Sequence, residues 1–173
     1  MTMILTGTEI EKQVSAGNIC LAPFDRRQLN PNSYNYRLGP LLRLPQVDVE
    51  TGAVSFETTR IPEMGYVLHP GTMMLGHTLE SVGSRRYAMS LIGRSSLGRL
   101  GLFLQVSANL GHTTSDHCWT LELVAALPIR LYAGMMIGQV SFWSNQGDVL
   151  CLGKTYANYS IPTEKIEDDS DRT

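Results

Sequence analysis

Basic charge is scarce in this 173-residue sequence: 14 Lys and Arg stand against 16 Asp and Glu, a formal net charge of -2. A nucleic-acid backbone is normally met by a basic stripe, so this balance gives no broad attraction for one. A local arginine cluster can still hold a small anion. Cysteine is scarce as well. Cys20, Cys118 and Cys151 are odd in number and far apart, and read as reduced buried thiols rather than a disulfide framework. No apolar run approaches membrane-spanning length, and the stretch from Met1 to Thr6 lacks the basic region and long apolar core of a signal peptide. A soluble cytoplasmic protein, with neither membrane nor nucleic acid as partner, is the expectation. Internal repeats and clean linkers are missing too. With 43% hydrophobic residues the chain can build one real core. Residues 1–162 are assigned to that single domain, and the charged run 163–173 to a fraying tail.

What is present is a series of short strand patterns cut by Gly, Pro and Asn. Thr6 or Thr8 can cap a short helix through Glu9, Ile10, Glu11, Lys12 and Val14, stopped near Gly17. Tyr34, Tyr36 and Leu38 alternate with Asn35 and Arg37, which predicts a half-buried strand ending at Gly39. Further strands are expected at residues 47–49, 53–56, 65–68, 73–78, 87–92, 102–106, 119–124, 129–131 and 137–143, with His69-Pro70-Gly71 as a turn. Many short strands without long helices between them argue for a mainly β fold, a distorted barrel or jelly-roll-like sheet, rather than βαβ units.

Two polar islands carry the chemistry. The first is Gly93-Arg94-Ser95-Ser96-Leu97-Gly98-Arg99-Leu100-Gly101-Leu102. Guanidinium forks with hydroxyl and backbone donors between them can hold phosphate oxygens. The plainer reading is a helix start capped by Ser95 or Ser96 with solvated arginines. No glycine-rich run ends in Gly-Lys followed by Ser or Thr, so a Walker loop is absent. The second island ends in Trp119-Thr120-Leu121-Glu122-Leu123-Val124. Alternation sets Leu121 and Leu123 on one face and Thr120, Glu122 and Val124 on the other. Glu122 is then either an ordinary solvated strand residue or an acid aimed into a cleft, where partial burial suits proton transfer near neutrality. His112, Asp116, His117 and Cys118 include potential metal ligands, but the zinc pattern His-x-Glu followed by Pro-Cys-x-x-Cys is missing. Lys154 beside Tyr156, Asn158 and Tyr159 can close over phosphates or simply pin the chain end. Trp119 and Trp143 read as packing residues, with Trp119 close enough to Glu122 to narrow a pocket.

In order and spacing, several segments together resemble the dCTP deaminase branch of the dCTP deaminase/dUTPase superfamily. They are Ile4-Leu5-Thr6-Gly7, Pro31-Asn32-Ser33-Tyr34-Asn35-Tyr36-Arg37-Leu38-Gly39, His69-Pro70-Gly71, Thr78-Leu79-Glu80-Ser81-Val82, the 93–101 run, Thr120-Leu121-Glu122-Leu123 and Gly134-Met135-Met136-Ile137-Gly138-Gln139. The resemblance covers nearly the whole domain. It implies a distorted β-barrel homotrimer with active sites at subunit interfaces, and hydrolysis of the cytosine amino group of dCTP to dUTP and ammonia without zinc. Some members carry dUTP on to dUMP and pyrophosphate. Mg²⁺ would arrive on the nucleotide phosphates. By the same resemblance Glu122 is the general acid/base, Ser95 and Arg99 lie near the catalytic water and phosphates, and Ala108 leaves room for that water. Arg94 and Ser96 would fix the triphosphate, Gln105 and Val106 would read the base edge, and His112, Trp119, Lys154 and Tyr156 would line the substrate.

The chain departs from that pattern in a cluster. His112 stands where the family usually has aspartate, Thr114 and His117 where it has glycines, and Ser115 where it has a large aromatic. A glycine that needs positive φ would, once replaced, force a rearranged loop. Loss of the aspartate removes an anion suited to binding sugar and activating water in dUTP hydrolysis, and loss of the aromatic removes a wall beside the deoxyribose. Asn35 stands where aspartate is common, and the 154–158 segment only loosely follows the family's phosphate lid. Two alternatives to the deaminase stay open at this point: a pyrimidine nucleotide phosphohydrolase, and a non-catalytic nucleotide-binding trimer.

Overall fold

The computed structural model describes residues 3–104 and 107–149. Gln105, Val106, Cys151, Lys154, Tyr156, Asn158, Tyr159 and the 163–173 tail lie outside the described residues. The elements are α1 (Gly7–Ser15), β1 (Ile19–Ala22), a 3₁₀ turn (Arg26–Gln28), β2 (Tyr34–Arg37), β3 (Leu41–Val47), β4 (Val54–Arg60), β5 (Tyr66–Leu68), β6 (Met73–His77), β7 (Ser81–Ser84) and β8 (Tyr87–Gly93). They continue with α2 (Ser95–Gly98), β9 (Leu102–Leu104), β10 (Leu110–Gly111), β11 (Asp116–His117), β12 (Thr120–Ala125), β13 (Ile129–Leu131) and β14 (Met136–Ser144).

Local chemistry explains the ends of α1. Thr6 is the N-cap and its hydroxyl accepts from Glu9 N, while Gly17 takes φ +73 just beyond the last turn. The strands form four antiparallel sheets, ordered β1-β7-β11, β10-β8-β14-β2, β4-β3-β6-β12-β9 and β13-β5. The architecture is mainly β with short helices, as expected. Among the described residues these sheets do not join into a closed hydrogen-bonded barrel, so the barrel expectation narrows to stacked open sheets around one core. Tyr34, Tyr36, Leu42, Met74, Met89, Leu121, Leu123, Val140 and Phe142 sit in that core.

Two expected strands differ in extent or character. β2 is buried on both faces rather than half-buried, because Asn35 is enclosed along with Tyr34 and Tyr36. Residues 47–49 and 53–56 prove to be the tip of a longer hairpin in which Leu41 pairs with Arg60 and Val47 with Val54. Pro45 obscured it, since proline rarely sits inside a strand. Here it pairs with Phe56, beyond the Arg43–Leu75 contact that joins β3 to β6. The hairpin leaves β4 as a free edge of the five-stranded sheet.

Candidate active site

β12 is placed between β6 and β9, with Glu122 opposite Leu75 and Leu123 opposite both Met74 and Leu104. Leu121, Leu123 and Ala125 are buried in the core, whereas Thr120, Glu122 and Val124 are half-buried on the outer face. The alternation read from the sequence therefore holds. It turns Glu122 away from the hydrocarbon core without releasing it fully to solvent.

The surroundings of Glu122 on that face follow from register. Cross-strand partners share a face, so Leu75 and then Arg43 extend the Glu122 row across the sheet. A neighbouring row joins Phe103, Val124 and Met73. Phe103 is 45% exposed and Met73 41%, which makes this an apolar surface with one carboxylate set into it. The other flanking row pairs Thr120 with His77. His77 is buried, with Nδ1 2.9 Å from Thr78 O and Nε2 accepting from Leu41 N at 3.4 Å. Burial holds its pKa below the ordinary histidine value. Arg43 leans toward the hairpin, donating to Phe56 O at 3.3 Å with its guanidinium 5.9 Å from the Phe56 ring.

The first polar island lies elsewhere in the chain. β8 ends at Gly93 and α2 begins at once, with Leu97 N and Gly98 N both bonded to Arg94 O. Neither Ser95 nor Ser96 is the cap; Arg94 holds that position and supplies no side-chain cap bond. Ser95, Ser96 and Arg99 are exposed, while Arg94 reaches Met136 O at 3.4 Å. Gly101, at φ +87, returns the chain toward β9, and its carbonyl accepts from Ala126 N at 2.7 Å. That junction lies four residues past Glu122, about 13 Å along the strand at the usual rise. The serine and arginine motif thus enters β9 through a turn pinned just past the end of β12, while Gly93 at its start faces the Leu104 side chain. Ala108 is exposed in the stretch leading to β10.

The atypical 112–117 segment folds as a tight turn followed by β11. Ser115 N bonds to His112 O at 3.2 Å, and Thr114 takes φ +78. This is the geometry for which a turn normally recruits glycine at its third position. Threonine therefore occupies the positive-φ position itself. Neighbouring bonds hold the left-handed conformation: Thr114 N to Ser84 O at 2.7 Å, Ser84 N to Ser115 O at 3.1 Å, and Asn145 Nδ2 to Thr113 Oγ1 at 2.9 Å. Thr113 and Ser115 are buried, whereas His112 and Thr114 face outward.

Past the turn, the His117 ring packs against Trp119 at a tilt of 32° with centroids 4.3 Å apart, its Nδ1 3.1 Å from Cys118 O. Its Nε2 is buried without a hydrogen-bond partner, and burial pushes its pKa down. Trp119 donates Nε1–H to Val82 O at 2.8 Å, so its indole edge is engaged within the fold. On the opposite face of the small sheet, Cys20 and Asp116 flank Gly83, where an added Cβ would meet Asp116. Asp116 also accepts from Ser81 Oγ at 2.8 Å. Burial, aided by Asp116, raises the Cys20 thiol to about 11, and burial raises that of Cys118. Both are unbridged thiols, half-buried rather than buried as the sequence suggested. Among the described residues, no three His, Cys, Asp or Glu side chains are arranged to hold a metal.

One polar cluster escaped the sequence reading. Glu80 is fully buried and accepts from Arg37 N at 2.8 Å, Arg37 Nε at 2.6 Å and Gln28 Nε2 at 3.2 Å. Gln28 Nε2 also bonds to Asn35 O, and the Asn35 side chain donates to Asn30 Oδ1 at 3.4 Å. The Asn35 departure thus belongs to a buried structural network. Only the paired strand pattern Tyr34 to Arg37 and the motif around Glu80 hinted at it, and nothing local in the sequence ties them together.

Residues 4–145 match the dCTP deaminase-like family. A "dCTP deaminase, dUMP-forming" of Leptospira biflexa is 36% identical over 174 residues, covering 98% of this chain and 99% of that protein. A "dCTP deaminase" of Rhodopirellula baltica is 40% identical over 148 residues, covering 84% and 74%. A "dCTP deaminase, dUMP-forming" of Clostridium beijerinckii is 37% identical over 174 residues, covering 98% and 100%. Among solved structures, the 2'-deoxycytidine 5'-triphosphate deaminase from Agrobacterium tumefaciens superposes with a TM-score of 0.67 at 21% identity. That superposition covers 83% of this chain and about half (49%) of the solved one, and it establishes the shared dUTPase-type fold. No helix among the described residues is long and apolar enough to cross a membrane. By the extent of these matches, the chain belongs to the dCTP deaminase-like family.

Proposed function

We propose that this protein hydrolytically deaminates a cytosine nucleotide, with Mg²⁺–dCTP as the prototype substrate and dUTP and ammonia as products. The observation that carries the reading is Glu122: one carboxylate, half-buried on the outward face of a strand whose other face is core, beside Leu75, Val124 and Met73. An acid in such a setting, once covered, works in a water-poor cavity where proton transfers are strongly felt.

In the reaction, water adds to C4 of the ring. Glu122, entering as the neutral acid, protonates N3 and so offsets the negative charge that develops on the pyrimidine. The resulting carboxylate takes the proton from the attacking water and delivers it to the departing amino group. The C4–N bond breaks with its electron pair on nitrogen, ammonia leaves, and the C4 hydroxyl returns its proton to Glu122 as the uracil carbonyl forms. Mg²⁺ travels with the phosphates as part of the substrate.

The exposed serines and arginine of α2, together with the uncovered apolar face around Glu122, support an oligomeric site. Ser95 and Arg99 are exposed, with no contact to a folded partner needed to hold their short helix. A neighbouring copy in a homotrimer would bring its own α2 over the apolar face around Phe103 and Met73, supplying phosphate donors and excluding water together. Arg94, Ser96, Ala108, His112 and Trp119 remain the substrate-lining candidates from the described residues; Gln105, Val106, Lys154 and Tyr156 complete that set.

The test is ammonia release from dCTP, CTP and dCMP by the full chain, with products separated by chromatography. Ammonia from dCTP is expected; background release from all three, with well-folded protein, overturns the reading. A second reading, in which dUTP continues to dUMP and pyrophosphate, is favoured by the dUMP-forming relatives in Leptospira biflexa and Clostridium beijerinckii. His112 at the aspartate position argues for a weak second step, and pyrophosphate in the same product mixture decides it.

A further inference from the structure

Thr78 is completely buried just past the end of β6. Its backbone N donates to Trp119 O at 2.9 Å, and its Oγ1 accepts from Trp119 N at 2.9 Å. The hydroxyl proton is used as well, donated to Glu80 O at 2.7 Å. A hydroxyl has one proton, so the bond to Glu80 leaves its lone pairs for Trp119. Glu80 is itself immobilised by the Arg37 and Gln28 bonds, and Leu79 N is bonded to Arg37 O at 2.7 Å. A rigid chain of contacts therefore runs from the Glu80 network through one hydroxyl to the residue immediately before β12.

We propose that Thr78 is a positioning residue for Glu122: its hydroxyl fixes where β12 begins and so where the carboxylate points. The proposal rests on the deaminase reading of Glu122. Glu122 lies three residues beyond the Thr78–Trp119 clamp, about 10 Å along the strand. Leu121, Leu123 and Ala125 hold the core face of β12 by burial, and its ladders with β6 and β9 set the register from Thr120 onward. Just ahead of the Thr120–His77 end of that ladder, the Thr78 hydroxyl adds the directional bond that holds Trp119 and the entry into the strand. Without the hydroxyl, Trp119 N loses its partner while the buried leucines stay in place, so the strand survives and its start loosens. Misplacement of a catalytic group by about 1 Å can cost about 100-fold in rate.

The experiment compares Thr78→Val, which keeps the shape and loses the hydroxyl, with Thr78→Ser, which keeps the hydroxyl. Three quantities are read on the full chain: kcat and KM for Mg²⁺–dCTP across pH, thermal melting, and amide hydrogen exchange along residues 119–125. For Thr78→Val we expect kcat to fall about 30-fold with KM within threefold, the pH profile of kcat to be displaced, and exchange to rise at 119–122 more than at 123–125. Thr78→Ser is expected to stay within threefold of the parent in every respect. A folded Thr78→Val with parental kcat and exchange overturns the proposal, as does a Ser variant that loses as much as Val. If Thr78→Val does not fold, Thr78→Ser decides alone, and loss of its activity or strand protection overturns the proposal. A parent enzyme that releases no ammonia sinks the deaminase reading instead, and the hydrogen exchange then tests the clamp separately.

Discussion

Strand β12 and the 112–117 segment are nearly consecutive in the chain, yet they obey different masters. In β12 each side chain points where alternation requires, and the backbone follows the side chains. In the turn before it the backbone keeps a glycine-type conformation at Thr114, φ +78, although the side chain opposes it. Burial of Leu121, Leu123 and Ala125 directs the strand. Hydrogen bonds from Ser84 and Asn145 direct the turn. A side chain that opposes its backbone conformation can therefore still occupy it, when the surrounding structure over-determines it.

The largest test of the comparison falls on the strand. Glu122→Gln keeps the shape of the side chain and removes its proton chemistry, so deamination is expected to drop about 1,000-fold with little change in melting temperature. Ammonia release under saturating dCTP measures it. Activity within tenfold of the parent would take Glu122 out of the reaction and leave β12 as a structural strand only.

Next comes the buried pair that supports both regions. Glu80→Ala leaves Arg37 without its carboxylate and removes the acceptor of three hydrogen bonds. A loss of about 3–5 kcal/mol is expected from breaking a buried ion pair in this way. Urea unfolding measures the change. A loss under 1 kcal/mol would mean that solvent at half-buried Arg37 already supports the guanidinium.

A smaller, pH-dependent effect separates the two flanks of β12. Burial lowers the pKa of His77 and of His117 below their reference 6.5. Above 6.5 both histidines are neutral in the folded and unfolded chain, and their contribution is fully present. As pH falls through 6.5 the unfolded chain takes up protons first, and stability declines until the folded-state values are passed. Asp25, held near 2 by Arg27, is lost only in more acidic solution and does not share this window. His117→Phe retains an aromatic ring beside Trp119 and removes a nitrogen with no partner. It is expected to flatten the decline in melting temperature between pH 6.5 and 5, and an unchanged slope would assign the effect to His77 alone.

The legibility of the molecule follows the same division. Local signals sufficed for α1, because Thr6 and Gly17 cap it, and for β12, because its period-two pattern has no competitor. They failed at the β3–β4 hairpin, where Pro45 masked a strand that tertiary pairing supports, at the two-residue β10 and β11, too short to carry a period, and at β1 and β7, which are strands through their pairing with each other. Glu122 was readable as an acid on a non-core face. The Glu80 network was not, since it joins residues 28, 37 and 80, which meet only after folding. Nor could sequence show that the 93–101 run returns to the sheet just past the end of β12, because that depends on the turn at Gly101.

The smallest effect is the one that sharpens the contrast most. At Thr114 a β-branched residue sits in left-handed backbone, which costs about 1–2 kcal/mol relative to a residue free of the Cβ clash. Thr114→Gly removes that strain but gives the unfolded chain more freedom, offsetting about 0.4–1 kcal/mol. A net gain of about 0.5–1 kcal/mol is expected, read as a higher urea midpoint at constant slope. Thr114→Asn, which tolerates the same backbone, is expected to gain less. A loss of stability in both variants would show that the threonine side chain itself holds the turn. The conformation would then be the product of its own sequence, as in β12, and the distinction between the two regions would collapse.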